Sequence, residues 1–337
     1  MVTDMTGLST PFSGKDNEQE AGFIVWRDGQ SVPASLKNSI IAIGNFDGLH
    51  LGHRALIETA SQKAKDMNRP VAVLTFEPHP YQYFNKKPQF FRLTPENVKL
   101  SILAHLKLNG VFVKIFNREL AEMSADDFLN WLFHDLCASG LVIGHDFHFG
   151  AGREGTPDML RTYCEQHNIP LIQLPPVTLD GLTASSSVIR KALYEGDIKQ
   201  ANRFLGYRWF IRSEVEHGEK RGRKLGFPTA NMKLDDTCPL KYGVYAVRAS
   251  LGRQKIDGIA SFGKRPTFDD GAPRLETFLF DFSGNLYGMS MDIEFVSFIR
   301  EEKKFLNLEA LISAMSHDCE QARADLKKDT TPSMFTL

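Results

Sequence analysis

A chain of 337 residues is too long for most single cores and predicts two domains, each able to bury its own interior. Forty lysines and arginines against 41 aspartates and glutamates give a formal net charge of −1. That excludes a global field for nucleic acid or an anionic membrane surface and points to small-molecule partners.

No stretch approaches the ~18 apolar residues of a membrane span. Cys137, Cys164, Cys238 and Cys319 are too scattered for a CxxC metal site or a disulfide framework, so reduced thiols in the cytoplasm are expected. Residues 1–22 are polar and acidic and are expected to form a disordered tail. From Phe23 to about residue 200, short apolar runs alternate with helical patterns. Ile40–Ile43, four apolar residues in a row, suits a parallel strand covered on both faces. It breaks into Gly44-Asn45-Phe46-Asp47-Gly48-Leu49-His50-Leu51-Gly52-His53, after which Ala55, Leu56, Ala60 and Ala64 fall at helical spacing. The turn therefore sits on a helix N-terminus, where unpaired N–H groups favour an anion. His50 and His53, three apart, share one face of the first turn and can donate to the same phosphate.

Val71–Leu74, Val111–Val113, Leu141–Ile143 and Leu171–Ile172 read as further strands, and Ser124–Cys137 as a helix capped by Ser124. The alternation predicts a doubly wound parallel sheet with ligands at the carboxyl ends of its strands. TFEPHP (75–80) and GHDFHFG (144–150) both follow such ends. In Ala184-Ser185-Ser186-Ser187-Val188-Ile189-Arg190, the hydroxyls precede a helical pattern as N-caps and Arg190 offers a charge-assisted phosphate donor. Gly196-Asp197 interrupts the next helical pattern, and the domain boundary is placed at 200/201.

Residues 201–328 change texture. Trp209–Glu216, Val244–Leu251, Lys255–Phe262, Leu275–Phe282 and Ser290–Phe298 read as strands of an antiparallel β-barrel. A closing helix capped by Asn307 carries Leu308, Leu311, Ile312, Met315, Cys319, Ala322 and Leu326, a stripe expected to pack on the barrel. Residues 329–337 are expected to form a C-terminal tail. A basic loop, Lys220–Lys224, punctuated by Gly218, Gly222 and Gly226, runs into Pro228-Thr229-Ala230-Asn231. Thr229 and Asn231, two apart on one strand face, supply neutral hard oxygens suited to a magnesium ion that carries phosphate. Glu276, in an otherwise apolar strand, is either a carboxylate on the barrel surface or a desolvated base for phosphorylating an alcohol.

GNFDGLHLGH together with ASSSVIR resembles the HxGH signature of the nucleotidylyltransferase superfamily, in the form used by prokaryotic FAD synthetases. GRKLGFPTAN is similar to the riboflavin kinase signature, and YGVYAV (242–247), GKRPTF (263–268), LETFLFDF (275–282) and LYG (286–288) follow in that family's order. From about Ile40 to Leu326 the chain resembles the bacterial bifunctional riboflavin kinase/FAD synthetases. Ser187 takes the place of a usual threonine and keeps the hydroxyl. Ser213, Ser261 and Phe112 depart from common family residues.

The resemblance implies an α/β plus β architecture, a Rossmann-like HxGH domain followed by a riboflavin kinase-like barrel. It implies that the C-terminal domain phosphorylates riboflavin to FMN and the N-terminal domain adenylylates FMN to FAD, with ATP as co-substrate and Mg2+ as cofactor. Implied catalytic residues are His50, His53, Arg190 and Glu276. Implied nucleotide contacts are Gly44, Phe46, Asp47, Gly48, His50, His53, Ser186, Ser187 and Arg190 in the first domain. In the second they are Gly218, Gly222, Gly226, Pro228, Thr229 and Asn231. Asp146, Phe147 and Glu276 are implied flavin contacts, and Thr229 and Asn231 metal ligands. Self-association stays open. The alternative is a nucleotidylyltransferase for another phosphate acceptor, its barrel a regulatory flavin-binding module.

Overall fold

The computed structural model describes residues 22–85, 90–217, 227–252, 254–264 and 273–336. The expectations for the 1–21 tail, for Gly218, Gly222 and Gly226 with the basic loop, and for Arg265–Phe268 lie outside the described residues. Two compact units emerge: 22–190 with 204–206 and 334–336, and 191–203 with 207–333.

The first unit is a six-stranded parallel sheet. Its strands are β1 (Ile24–Arg27), β2 (Ile40–Ile43), β3 (Val71–Glu77), β4 (Gly110–Ile115), β5 (Gly140–Gly144) and β6 (Leu171–Leu174), in the order β1-β4-β3-β2-β5-β6. All four residues of β2 are buried, which is why the run is apolar throughout. The chain winds outward from β2 through β3 to β4, then returns to β5 on the other side. The carboxyl ends of β2 and β5 therefore flank the switch point at which such sheets bind ligands. Helix α1 (Leu51–Asp66) packs on β2, β3 and β5. After the short α2 (Pro80–Phe84), helix α3 (Glu96–His105) lies on β4.

A short α4 (Arg118–Glu122) precedes the helix expected at 124–137. That helix is α5 (Ala125–Asn130), capped by Ser124 and continued by a π turn at Trp131–Asp135. Next come α6 (Pro157–Gln166), a two-residue ribbon of β7 (Thr178–Leu179) and β8 (Leu182–Thr183), and α7 (Ser186–Glu195).

The units divide between Arg190 and Lys191, earlier than the 200/201 boundary read from the sequence. The reason lies in α8 (Ile198–Leu205) and the end of α7. Asn202 donates to Phe295 O at 2.9 Å and accepts from Trp209 N at 2.8 Å, and Lys241 N donates to Leu193 O at 3.1 Å. A cut at 200/201 would split α8 and part Leu193 from Lys241.

The second unit is an antiparallel sheet of β9 (Phe210–Glu214), β10 (Thr229–Lys233), β11 (Gly243–Leu251), β12 (Gln254–Lys264), β13 (Pro273–Leu279) and β14 (Ser290–Arg300). Its order is β10-β13-β12-β11-β14-β9. Its two edges meet where Glu216 N donates to Asn231 O at 2.8 Å, closing the barrel at one point. The closing helix is α9 (Leu308–Lys328), and Asn307 caps it by accepting from Ala310 N.

Only part of the α9 stripe packs as expected. Ala322 and Leu326 are buried against Val244, Ala246, Ile259 and Val296, with Cys319 packed at their edge, whereas Leu311 and Met315 line an open cavity and Leu308 is exposed. Residues 329–333 are likewise no loose tail. Arg208 binds Asp329 at 2.9 Å and donates its backbone N–H to Pro332 O, while Ser333 reaches the buried Glu294. Met334 is fully buried in the first unit.

Candidate active sites

A cleft of about 840 Å3 opens at the switch point. It is lined by Gly44, His50 and His53 after β2, by Asp146 and Phe147 after β5, and by Ser186 at the start of α7. His50 is the N-cap of α1, and its Nδ1 accepts from Gly52 N at 3.2 Å, which leaves the ring proton on Nε2. The His50 and His53 rings stack with centroids 3.8 Å apart. Burial pushes the His50 pKa down to about 4, against a weaker upward pull from Asp146. Burial also lowers His53, helped by His50 and Lys99. The pair therefore stands neutral at pH 7, poised as N–H donors rather than cations. His53 Nδ1 has no partner among the described residues.

The loop between the glycines is braced from inside. Phe46, Gly48 and Leu49 hold φ of +50°, +83° and +37°, and a Cβ on Gly48 would come within 2.8 Å of Leu93. Buried Asp47 accepts from Thr94 N at 3.1 Å and pairs with Arg190, while Ser186 Oγ donates to Asp47 O at 2.8 Å. Ser185 Oγ accepts from Val188 N, capping α7. Two motifs about 140 positions apart thus place the N-termini of α1 and α7 on one cleft.

Not every expected contact reaches the cavity wall. Phe46, Asp47 and Gly48 are buried beneath it. Ser187 is exposed beside it. Arg190 turns onto Asp47, Phe91 O at 2.8 Å and the Phe90 ring.

A second layer went unread in the sequence. Lys99, wholly buried on α3, bonds Glu77 at 2.7 Å, Thr75 Oγ1 at 2.8 Å and Asn45 O at 3.3 Å. Arg92 forks onto Glu77 with two 2.6 Å bonds. Burial alone would raise the Glu77 pKa, but Arg92 and Lys99 outweigh it and hold the carboxyl below its ordinary value. Burial lowers Lys99 despite Glu77. The available signal was a lysine inside the apolar face Val98, Ile102 and Leu103.

The barrel site is built by strand register. Thr229 pairs with Phe278 and Asn231 with Glu276 across β10 and β13, and Ser261 of β12 pairs with Glu276 from the other side. Directly opposed residues share a face, so Thr229, Asn231 and Glu276 project together. The Asn231 amide lies 3.5 Å from Thr229 Oγ1. Thr229, Glu276 and Phe278 line a cavity of about 280 Å3 with Leu311 and Met315 of α9. Asn231 is buried beside it, and Pro228 stands exposed at the strand's start.

Glu302, not anticipated from the sequence, also enters this cavity. Burial and the neighbouring Glu276 raise its pKa. Arg300 forks onto Asp318 at 2.9 and 2.7 Å, fastening β14 to α9.

A switch-point cleft carrying two helix N-termini, followed by a barrel that presents hydroxyl, amide and carboxylate on one face, defines a two-site transferase of phosphorus groups. A family model described as FAD synthetase matches residues 32–188, and one described as riboflavin kinase matches 205–326. The bifunctional riboflavin kinase/FMN adenylyltransferase of Haemophilus influenzae is 40% identical over 292 residues, covering 86% of this chain and 94% of that protein. The protein of the same description from Listeria monocytogenes is 35% identical, over 86% and 93%.

A solved structure titled Macrolide-efflux Protein, from Streptococcus pneumoniae, superposes with a TM-score of 0.81 at 30% identity, covering 90% of this chain and 99% of that one. The chain belongs to the bifunctional riboflavin kinase/FMN adenylyltransferase family, and it makes FMN from riboflavin and FAD from FMN with ATP. The riboflavin kinase match leaves no case for a barrel that is only regulatory. Among the described residues no helix is long and apolar enough to cross a membrane.

Proposed function

We propose that the first-unit cleft seats the ATP triphosphate over the paired N-termini of α1 and α7 and the flavin against the aromatic wall after β5. The observation that carries this reading is the Ser186–Asp47 bond, which hooks the two phosphate-type motifs together over one cavity. His50 and His53 donate from neutral rings to phosphoryl oxygens, and an arriving polyphosphate raises the pKa of both. An oxygen of the FMN phosphate attacks the α-phosphorus and pyrophosphate leaves. No protein nucleophile is required, so alignment and donors at the developing charge carry the rate. Arg190 acts from behind, holding Asp47 and with it the loop.

In the barrel, Glu276 accepts the proton of the riboflavin hydroxyl as its oxygen attacks the γ-phosphorus and ADP leaves. The Thr229 hydroxyl and the Asn231 amide, two apart on one strand face, carry hard oxygens that would fit magnesium held jointly with ATP. Bound there, the ion supplies neutralisation of the phosphoryl charge. The first domain of this reading spans 23–190 and the second 191–333. The four free cysteines and near-zero net charge support a cytoplasmic enzyme of small molecules that binds no nucleic acid.

The test is a time course from riboflavin and ATP, with and without excess EDTA. FMN should rise before FAD, and EDTA should stop both. FAD formation that outlasts EDTA would remove the metal from the first unit, and FMN formation that does so would remove it from Thr229 and Asn231.

A further inference from the structure

Adenylyl transfer to FMN brings two anions together, so the acceptor phosphate needs a cation of its own. Most cations near the cleft are already committed: Arg92 and Lys99 to Glu77, and Arg190 to Asp47. The one arginine or lysine among the described residues that lines the cavity is Arg153. No carboxylate among those residues pairs with it, and its polar neighbour is His148, whose Nδ1 lies 3.3 Å from the guanidinium.

Arg153 stands on a hairpin that leaves the carboxyl end of β5. Phe149 and Gly155 exchange both backbone bonds, at 3.1 and 2.9 Å, closing the loop of 150–154. The hairpin is pinned twice to the start of α5: Ala151 N donates to Met123 O at 2.7 Å, and Glu154 accepts from Ala125 N at 2.8 Å. Gly150 lies so close to α5 that a Cβ would come within 2.8 Å of Ala125 N. On this rigid base Arg153 holds φ of +64°, a left-handed conformation that is strained for an L-residue and suits glycine or asparagine. An exposed arginine kept in that conformation without an acid is unexplained by folding. Phe147 and Phe149, stacked 5.7 Å apart at its foot, supply an apolar wall suited to a planar ring.

We propose that Arg153, with His148 beside it, anchors the phosphate of FMN and so selects a phosphorylated acceptor for adenylyl transfer. A guanidinium can fork onto two phosphate oxygens and leave the third free to attack. This rests on the reading of the cleft as the adenylyl-transfer site.

The test measures FAD formation by the full-length chain with FMN and ATP each varied in turn. Arg153→Ala should raise the KM for FMN at least tenfold while the KM for ATP stays within twofold and riboflavin phosphorylation is unchanged. Arg153→Lys should recover part of the loss. Arg153→Gly relieves the backbone strain as well as removing the charge, and should match Arg153→Ala in KM at equal or higher thermal stability. A normal KM for FMN in Arg153→Gly would overturn the assignment, as would a rise confined to ATP. His50→Ala in parallel separates the two ideas: if it makes FAD normally, the reading of the cleft fails before that of Arg153.

Discussion

The two reaction sites are built by different means. In the first unit the chemistry sits on loops, and those loops are fixed by buried polar struts such as Asp47 under the glycine turn and the Glu77–Lys99–Arg92 cluster behind it. In the barrel the chemistry sits on strands, and register alone brings Asn231 opposite Glu276. A loop site needs an internal frame because its backbone is not held by a ladder. A strand site inherits its frame from the sheet.

The difference predicts which substitutions act locally and which propagate. The largest effect is expected at the barrel base. Glu276→Gln preserves shape and removes the proton acceptor, and riboflavin turnover should fall about a thousandfold with FMN adenylylation untouched. Steady-state assays of each step, supplied with its own substrate, check this. Near-normal FMN formation would move the role to Glu302, the other carboxylate in the cavity. Asp281, which follows β13, is held by Arg323 at 2.9 and 3.1 Å.

His50→Ala or His53→Ala should lower FAD formation about a hundredfold, the scale of one positioned donor, with FMN production preserved. Equal loss of both activities would point to misfolding.

The frame itself is tested by Glu77→Gln. It leaves Lys99 and Arg92 without their anion, and urea unfolding of the first unit should report a loss of about 3 kcal/mol. FAD formation should fall while the kinase is spared. An unshifted midpoint would show that the cluster does not hold the loop.

The smallest effect is one of pH. His50 ionises at about 4 in the folded chain, against an ordinary value of 6.5. Between those values the unfolded chain binds a proton that the folded one refuses. Stability is therefore full above pH 6.5 and is lost as the pH falls, by about 2 kcal/mol at pH 5. His50→Gln should flatten that part of the stability profile, and an unchanged slope would place the acid sensitivity elsewhere.

Contiguity decided what was legible in the sequence. The parallel sheet, the histidine pair and the serine-capped helix were readable because each lies within a few residues of chain. The pairing of Thr229 and Asn231 with Glu276 was readable in part, since alternation gives a strand's face but not its partner. Lys99, Arg92 and Glu77 were not, because a buried ion cluster joins residues from two elements and a loop, and each looks like a surface charge in isolation. The front half of α9 was misjudged for a related reason. Leu311 and Met315 continue the same apolar stripe as Ala322, yet they line the cavity rather than join the core.

The central claim, two separate sites that each carry one reaction, is tested most directly by mixing two proteins that each lack one activity. Given riboflavin and Mg-ATP, Glu276→Gln alone should make almost no FMN, and His53→Ala alone should accumulate FMN with little FAD. The mixture should make FAD at a rate that rises with the amount of either protein. A mixture that still stops at FMN would contradict the account.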